Sequence, residues 1–270
     1  MDTLAKDKSV RIENLSESNI DDLINVCSSQ RRGDPLHRQG INYKKQWLRC
    51  MLSKCGSCAK IAYHQERPVA QILFHPEEAD VTKTFRRRNV LAIDCIYNPR
   101  TEAQRLGIGT RLLESVVQDA RQRKSCLGNI ECRFVTANAF NTGEFLPMPE
   151  FYRKRGFLQA SEGNEFWLPL GGGYEPSKAT GEYESLEEDR NRAVVFYSPT
   201  CQFSYPFARR IEALIREVAP GIAVDLINDW QEPDELIRRK GCKLVVNAKP
   251  IVTIFMETQK FKQEIGQALG

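Results

Sequence analysis

Residues Gln104 to Leu113 read QRLGIGTRLL, a glycine-rich turn between a strand-like run, Asn89 to Tyr97 (NVLAIDCIY), and an amphipathic helix, Thr110 to Arg121. A turn that feeds a helix N-terminus presents several backbone N–H groups at the positive end of the helix dipole, an arrangement that suits a pyrophosphate. Gly107 and Gly109 carry no Cβ and let the backbone approach phosphates closely. Glycines also open turns for purely structural reasons, so on its own this spacing supports both readings.

The cysteines are the second chemical signal. There are nine, so full pairing within one chain is impossible. Reduced thiols, redox chemistry or a metal fit such usage better than structural disulfides. Cys50, Cys55 and Cys58 fall within nine residues. A zinc site wants four ligands and usually a second pair at a defined spacing, which is not evident here. His37, His64 and Cys27 are the distant partners available. Buried thiols where helix gives way to strand are the favoured reading, and no metal site is assigned. Further on, Cys201-Gln-Phe-Ser204 precedes a helix from about Phe207 to Val218. A cysteine at a helix N-terminus has a lowered pKa, but a CxxS lacks the resolving thiol that releases a mixed disulfide.

Composition bounds the rest. A formal charge of +4 over 270 residues is small, and Arg86-Arg87-Arg88 reads as a solvated loop or a neighbour of a negatively charged ligand rather than a nucleic-acid site. No apolar run reaches the roughly 18 residues of a membrane helix, and Met1 to Val10 has no signal-peptide core, so a cytoplasmic protein is expected.

The elements that position these residues form two groups. In the first come helical stretches at Ser18–Ser28 and Ile41–Leu52, then a hairpin, Ala59 to Phe74, with its turn at Glu66-Arg67-Pro68. The run Ile130 to Ala137 is the strand after the central helix. Residues Leu170 to Arg190 lose apolar periodicity and read as a linker. A second group then begins with strand Ala193–Tyr197 and the Cys201 helix. Strand Ile222–Ile227, helix Pro233–Lys240, strands Lys243–Val246 and Ile251–Phe255, and a last helix through Leu269 follow. The expected division is 1–170, a linker at 171–190, and 191–270.

Q/R-x-x-G-x-G/A between strand and helix resembles the acetyl-CoA pyrophosphate loop of the GNAT superfamily of acetyltransferases. Phe151 to Phe157 (FYRKRGF) matches its closing F-Y-x-x-x-G-F signature. The order β-α-α-β-β-β-α-β-α-β over roughly residues 8 to 170 is the one that resemblance implies. It implies an α/β (α+β) GNAT fold with a mixed, mostly antiparallel sheet. The order β-α-β-α-β-β-α after Asn191, with a cysteine before the first helix, resembles a small thioredoxin-like domain. The usual cis-proline is replaced by Arg239-Lys-Gly-Cys242-Lys, which would bring Cys242 toward Cys201. Asp94-Cys95-Ile96, the Gly107 run, the Ser-Pro-Thr-Cys201 turn and Asn247-Ala-Lys together resemble GNAT proteins with a YoaP-like C-terminal domain.

That resemblance implies acetyl-CoA as cosubstrate and a small-molecule amine as acceptor, with no nucleic-acid or membrane partner, in a monomer or homodimer. The CoA arm would lie on Gln104, Arg105, Leu106, Gly107, Ile108, Gly109 and Thr110, along Ile96 and Tyr97, and near Asn138. Asp94 is the first choice of base, with Glu131 and Glu144 in reserve, and Tyr152 matches the general acid. Cys95 alternates with Asp94, so both face the cleft only across a bulge; a covalent acetyl-thiol route through Cys95 would need it there. Two other classes stay open: a thiol-redox or metal-responsive protein working through Cys201 and Cys242, with CoA binding regulatory or vestigial, and a non-catalytic CoA-binding adaptor.

Overall fold

The computed structural model describes residues 10–28, 33–140, 146–178 and 180–270. They fall into two compact units, one drawn from residues 10–28, 48–80 and 85–177, the other from 33–47, 81–84 and 178–270.

The first unit begins with β1 (Val10–Asn14), α1 (Ile20–Ser28) and, from Leu48 onward, the second half of α2 (Pro35–Cys55). A hairpin of β2 (Ala59–His64) and β3 (Arg67–Pro76) follows. Its turn is Gln65-Glu66, both at positive φ (50° and 60°), one residue earlier than the sequence suggests. Two left-handed residues form the tight loop whose twist matches the flanking strands, so Arg67 and Pro68 already belong to β3. Next are β4 (Val90–Tyr97), α3 (Ile108–Arg121), β5 (Phe134–Asn138), α4 (Met148–Arg153), β6 (Leu158–Gln159) and β7 (Glu165–Pro169). The strand expected from Ile130 starts only at Phe134, because Gly128, at φ 65°, closes a turn onto Ser125.

The sheet order is β1-β2-β3-β4-β5-β7-β6. Every pairing is antiparallel except β4 with β5. α3 buries Ile108, Leu112, Leu113, Val116, Val117 and Ala120, the 3–4 spacing of one helix face, against a core that includes Ile72, Phe74, Leu91 and Val135. The loop reading of Arg86–Arg88 is corrected at its centre. Arg87 is buried and gives two edges of its guanidinium to carboxylates, Nη2 lying 2.6 Å from Glu77 Oε2 and 2.8 Å from Glu165 Oε2. Residues after β7 stay with this unit: Leu170, Gly171 and Gly172 all donate to the Arg133 carbonyl, and Tyr174 stacks on Trp167 at 4.9 Å.

The second unit carries β8 (Arg192–Tyr197), α5 (Ser204–Val218), β9 (Ala223–Asn228), α6 (Pro233–Arg238), β10 (Leu244–Val246), β11 (Lys249–Pro250) and α7 (Thr258–Leu269). Its strand order is β11-β10-β8-β9, with β8 parallel to β9 and the other pairs antiparallel. The strand expected at Ile251–Phe255 does not form. Glu264 on α7 accepts the N–H groups of Val252 (2.9 Å) and Thr253 (2.8 Å), which takes them out of any ladder. The first half of α2 packs in this unit. A Cβ on Gly40 would meet the Gln202 carbonyl oxygen at 2.1 Å, so only glycine lets the helix approach that turn. Tyr43 meets Tyr197 and Tyr205 at 5.2 and 5.3 Å. Among the described residues no helix is long and apolar enough to cross a membrane.

Candidate active site of the first unit

β4 and β5 pair in parallel from Val90↔Phe134 to Ile93↔Ala137, and there the ladder stops, while β4 continues to Tyr97 along β3. At that point β3 and β4 slip by one residue: Leu73 faces Cys95 and Phe74 faces Ile93, leaving Asp94 as the bulged residue. A bulge re-aims side chains, so strict alternation no longer forces Asp94 and Cys95 to opposite faces. Both act electrostatically on the Tyr152 hydroxyl.

Tyr152, on α4, is 1 % exposed. Phe151, Phe157 and Phe166 surround its ring at 5.3, 5.0 and 6.2 Å, which fixes the phenol. Burial raises its pKa well above the usual tyrosine value, and the neighbouring Cys95 and Asp94 add to the rise. The phenol is therefore a proton donor held in its neutral form at physiological pH.

Sequence reasoning missed His75. It lies near the end of β3, with Nε2 3.1 Å from Asp94 Oδ2 and Nδ1 2.9 Å from the Pro76 carbonyl oxygen. Its side chain is 2 % exposed against 28 % for Asp94. Burial alone would lower its pKa; Asp94, through charge and hydrogen bond, the Pro76 carbonyl and Asp80 outweigh that and push it up to about 9. The signal existed in the sequence only as a histidine after a strand run, and it needed the β3–β4 register to acquire meaning.

The glycine turn is anchored before α3 by Asn98, whose Nδ2 donates to the Ala103 carbonyl at 3.0 Å, and by Gln104 N–H bonding back to Thr101. Arg105 and Gly107 both adopt positive φ (61° and 69°), and Gly107 is the N-cap of α3. No side chain caps this end and its first turn has no acidic residue among the described residues. Leu106 and Ile108 anchor the turn to the core, as Ile96 anchors β4, whereas Tyr97 is exposed. Asn138 ends β5 opposite Glu165, an exposed position at the same end of the strand as the bulge. Arg155, also unforeseen, reaches the same helix end: Nε donates to Thr110 Oγ1 at 3.0 Å, Nη1 to the Phe151 carbonyl at 2.7 Å. Its guanidinium stacks on Phe151.

Other candidates land elsewhere. Glu131 forms an exposed ion pair with Arg123 at 2.9 Å, and Glu144 lies outside the described residues. Cys55, Cys58 and Cys126 are free thiols close to one another, and burial raises the thiol pKa of Cys55 and Cys126. His37 belongs to the second unit, where its ring meets Phe203 at 4.9 Å, and Cys27 accepts from Gln71 at 3.2 Å. Among the described residues no group of three or more His, Cys, Asp or Glu is arranged to hold a metal ion. In the second unit Cys201 is an exposed free thiol, while Cys242 is half-buried, donates to the Leu244 carbonyl, and has its pKa raised by burial. The β8–β10 register puts both toward the C-terminal end of β8.

The first unit is thus a mixed α/β fold in which a parallel pair of strands parts at a bulge, with the N-terminus of α3 following in the chain. The matching family is the acetyltransferase (GNAT) family, over residues 19–157. The chain belongs to that family, and so to the transferases. Solved structures that resemble it include a GNAT-family acetyltransferase from Brucella melitensis in complex with acetyl-CoA (13 % identity, 63 % of this chain and 93 % of that one, TM-score 0.42). Two others are the PaiA N-acetyltransferase from Thermoplasma acidophilum in complex with coenzyme A (16 %, 59 % and 96 %, TM-score 0.41) and a GNAT-family acetyltransferase from Staphylococcus aureus Mu50 (14 %, 60 % and 99 %, TM-score 0.41). No curated protein matches the chain.

Proposed function

We propose that the protein transfers the acetyl group of acetyl-CoA to the amine nitrogen of a small molecule by direct attack on the thioester. The observation that carries this reading is the join between the bulge at Asp94, the end of the β4–β5 ladder and the N-terminus of α3. The residues there suit CoA. The first turn of α3 directs N–H groups outward without an acidic side chain to repel phosphate. A Cβ at Gly109 would sit 3.5 Å from Phe151, an ordinary contact, so packing within the protein does not demand glycine there. A ligand pressed against the helix end does.

In this scheme the backbone from Gln104 to Thr110 holds the pyrophosphate, and β4 from Asp94 to Tyr97 offers its edge to the pantetheine arm. Asp94 removes a proton from the acceptor ammonium. Tyr152 supplies one to the departing thiolate, its neutral state preserved by burial. Asn138 adds a polar contact at the end of β5, and Cys95 takes no covalent part.

The second unit is assigned as a thioredoxin-like module that helps bind the substrate or a partner. Support comes from its strand order, its single parallel pair and the position of Cys201 one turn before α5. The test is acetylated product detected by mass in a panel of small amines, comparing the wild type with Asp94→Asn and Tyr152→Phe. Retained CoA binding with lost turnover in both variants supports the scheme. Turnover lost instead in Cys201→Ser would move the chemistry to the second unit.

A further inference from the structure

An aspartate by itself is a poor base for an ammonium. Its ordinary pKa is about 3.9, against roughly 10.4 for an alkylammonium, so it is outmatched by about six orders of magnitude. His75 changes this comparison. The Pro76 carbonyl can only accept, so Nδ1 of His75, 2.9 Å away, carries hydrogen. Nε2 then faces Asp94 Oδ2 at 3.1 Å. A bare Nε2 opposite a bare carboxylate would set two lone pairs against each other in a site that is nearly closed to water on the histidine side. One proton between them resolves the conflict. The pair therefore has a proton-bound resting form and a proton-free form that is strongly basic.

We propose that His75 and Asp94 act as one proton acceptor: Asp94 takes the proton from the acceptor's ammonium, and His75 holds it across the Nε2–Oδ2 hydrogen bond. This rests on the acetyl-transfer reading above and deepens it. The proton balance is complete. The ammonium gives one proton to the proton-free pair, and the amine forms its bond to the acetyl carbon. The second N–H proton replaces the one that Tyr152 gives to the thiolate as the carbon–sulfur bond breaks, and the pair releases its own proton to solvent. Two carboxylates, Asp94 on β4 and Asp80 beyond β3, raise the affinity of His75 for that proton, against its burial. The His75 value of about 9 lies close to that of the ammonium to be deprotonated.

The chain has three histidines, His37, His64 and His75, so histidine-selective labelling gives three imidazole signals, with His75→Gln to assign one. In the wild type the His75 signal is expected to titrate near pH 9, and in Asp94→Asn at clearly lower pH. Turnover is then compared between wild type and His75→Gln with one acceptor amine across pH 6.5 to 10. Glutamine keeps a donor toward Asp94 but cannot bind the proton. Taking the ratio of the two cancels the acceptor's own ionisation. The ratio should climb about tenfold per pH unit and level off near 9, at about a hundredfold or more. A flat ratio, or a His75 signal that titrates below 7 in the wild type, overturns the inference. Failure of the acetyl-transfer reading looks different: no amine is acetylated by any form of the protein.

Discussion

Arg155 Nε donates to Thr110 Oγ1 at 3.0 Å, tying the second residue beyond α4 to the first turn of α3. The side chain has neutral partners there, the Thr110 hydroxyl and the Phe151 carbonyl. Burial lowers its pKa, and Glu114 only partly counters this. A cation held at the positive end of a helix is suited to a phosphate. Replacing it with leucine, Arg155→Leu, should weaken acetyl-CoA binding about 10- to 100-fold, the value of one or two charge-assisted hydrogen bonds. It should weaken S-acetylpantetheine, which has no phosphate, much less. Calorimetric titration of both ligands checks this.

Gly109 offers a separation of stability from binding. Gly109→Ala would place its methyl in ordinary contact with Phe151 and Ile96. The change should stabilise the ligand-free protein by up to about 1 kcal/mol, the helix preference of alanine over glycine. In the proposed scheme the pyrophosphate lies on this turn, and CoA affinity should then fall about tenfold or more. Denaturant melts and a binding isotherm on one preparation read both effects.

Arg87 has a structural rather than a ligand-binding role. It is buried between Glu77, with no exposed surface, and Glu165. Removing one partner of a buried ion pair strands the others, at a cost of about 3–5 kcal/mol. Arg87→Met should lower stability by that order in urea unfolding. An additional Glu77→Gln change should restore part of the loss.

The His75–Asp94 pair also makes stability depend on pH. A histidine whose pKa rises from 6.5 to about 9 on folding binds its proton more tightly in the native state. Its contribution, roughly 3 kcal/mol at about 1.4 kcal/mol per pKa unit, is fully present below pH 6.5 and is lost as pH rises through 9. Urea unfolding of the wild type should weaken over pH 6.5 to 9 more than that of Asp94→Asn, in which the pair is absent.

What the sequence made legible was local. The Gln104–Thr110 turn, the α3 face and the Phe151–Phe157 segment each declare themselves through residues close in the chain, because turn chemistry and helical period act over a few positions. His75 was hidden because its meaning comes from strand register: one slip at Leu73/Phe74 decides that Asp94 bulges beside it. Arg87 looked like part of a charged loop because its glutamates lie 10 and 78 positions away. The apolar, β-branched run Ile251 to Phe255 suggests a strand, but Glu264, on a helix formed later in the chain, claims the N–H groups a ladder would use. The nearness of Cys55 and Cys58 to Cys126, all three free thiols, was equally non-local.

The most direct test of acetyl transfer at Asp94 and Tyr152 is mass detection of acetylated product from purified protein, acetyl-CoA and a panel of small amines, with Tyr152→Phe and Cys201→Ser run alongside. The account predicts product from the wild type and from Cys201→Ser, and a loss of about a hundredfold or more in Tyr152→Phe with CoA binding unchanged. Tight acetyl-CoA binding with no acetylated amine in any sample would contradict it, as would a Tyr152→Phe variant that turns over at the wild-type rate.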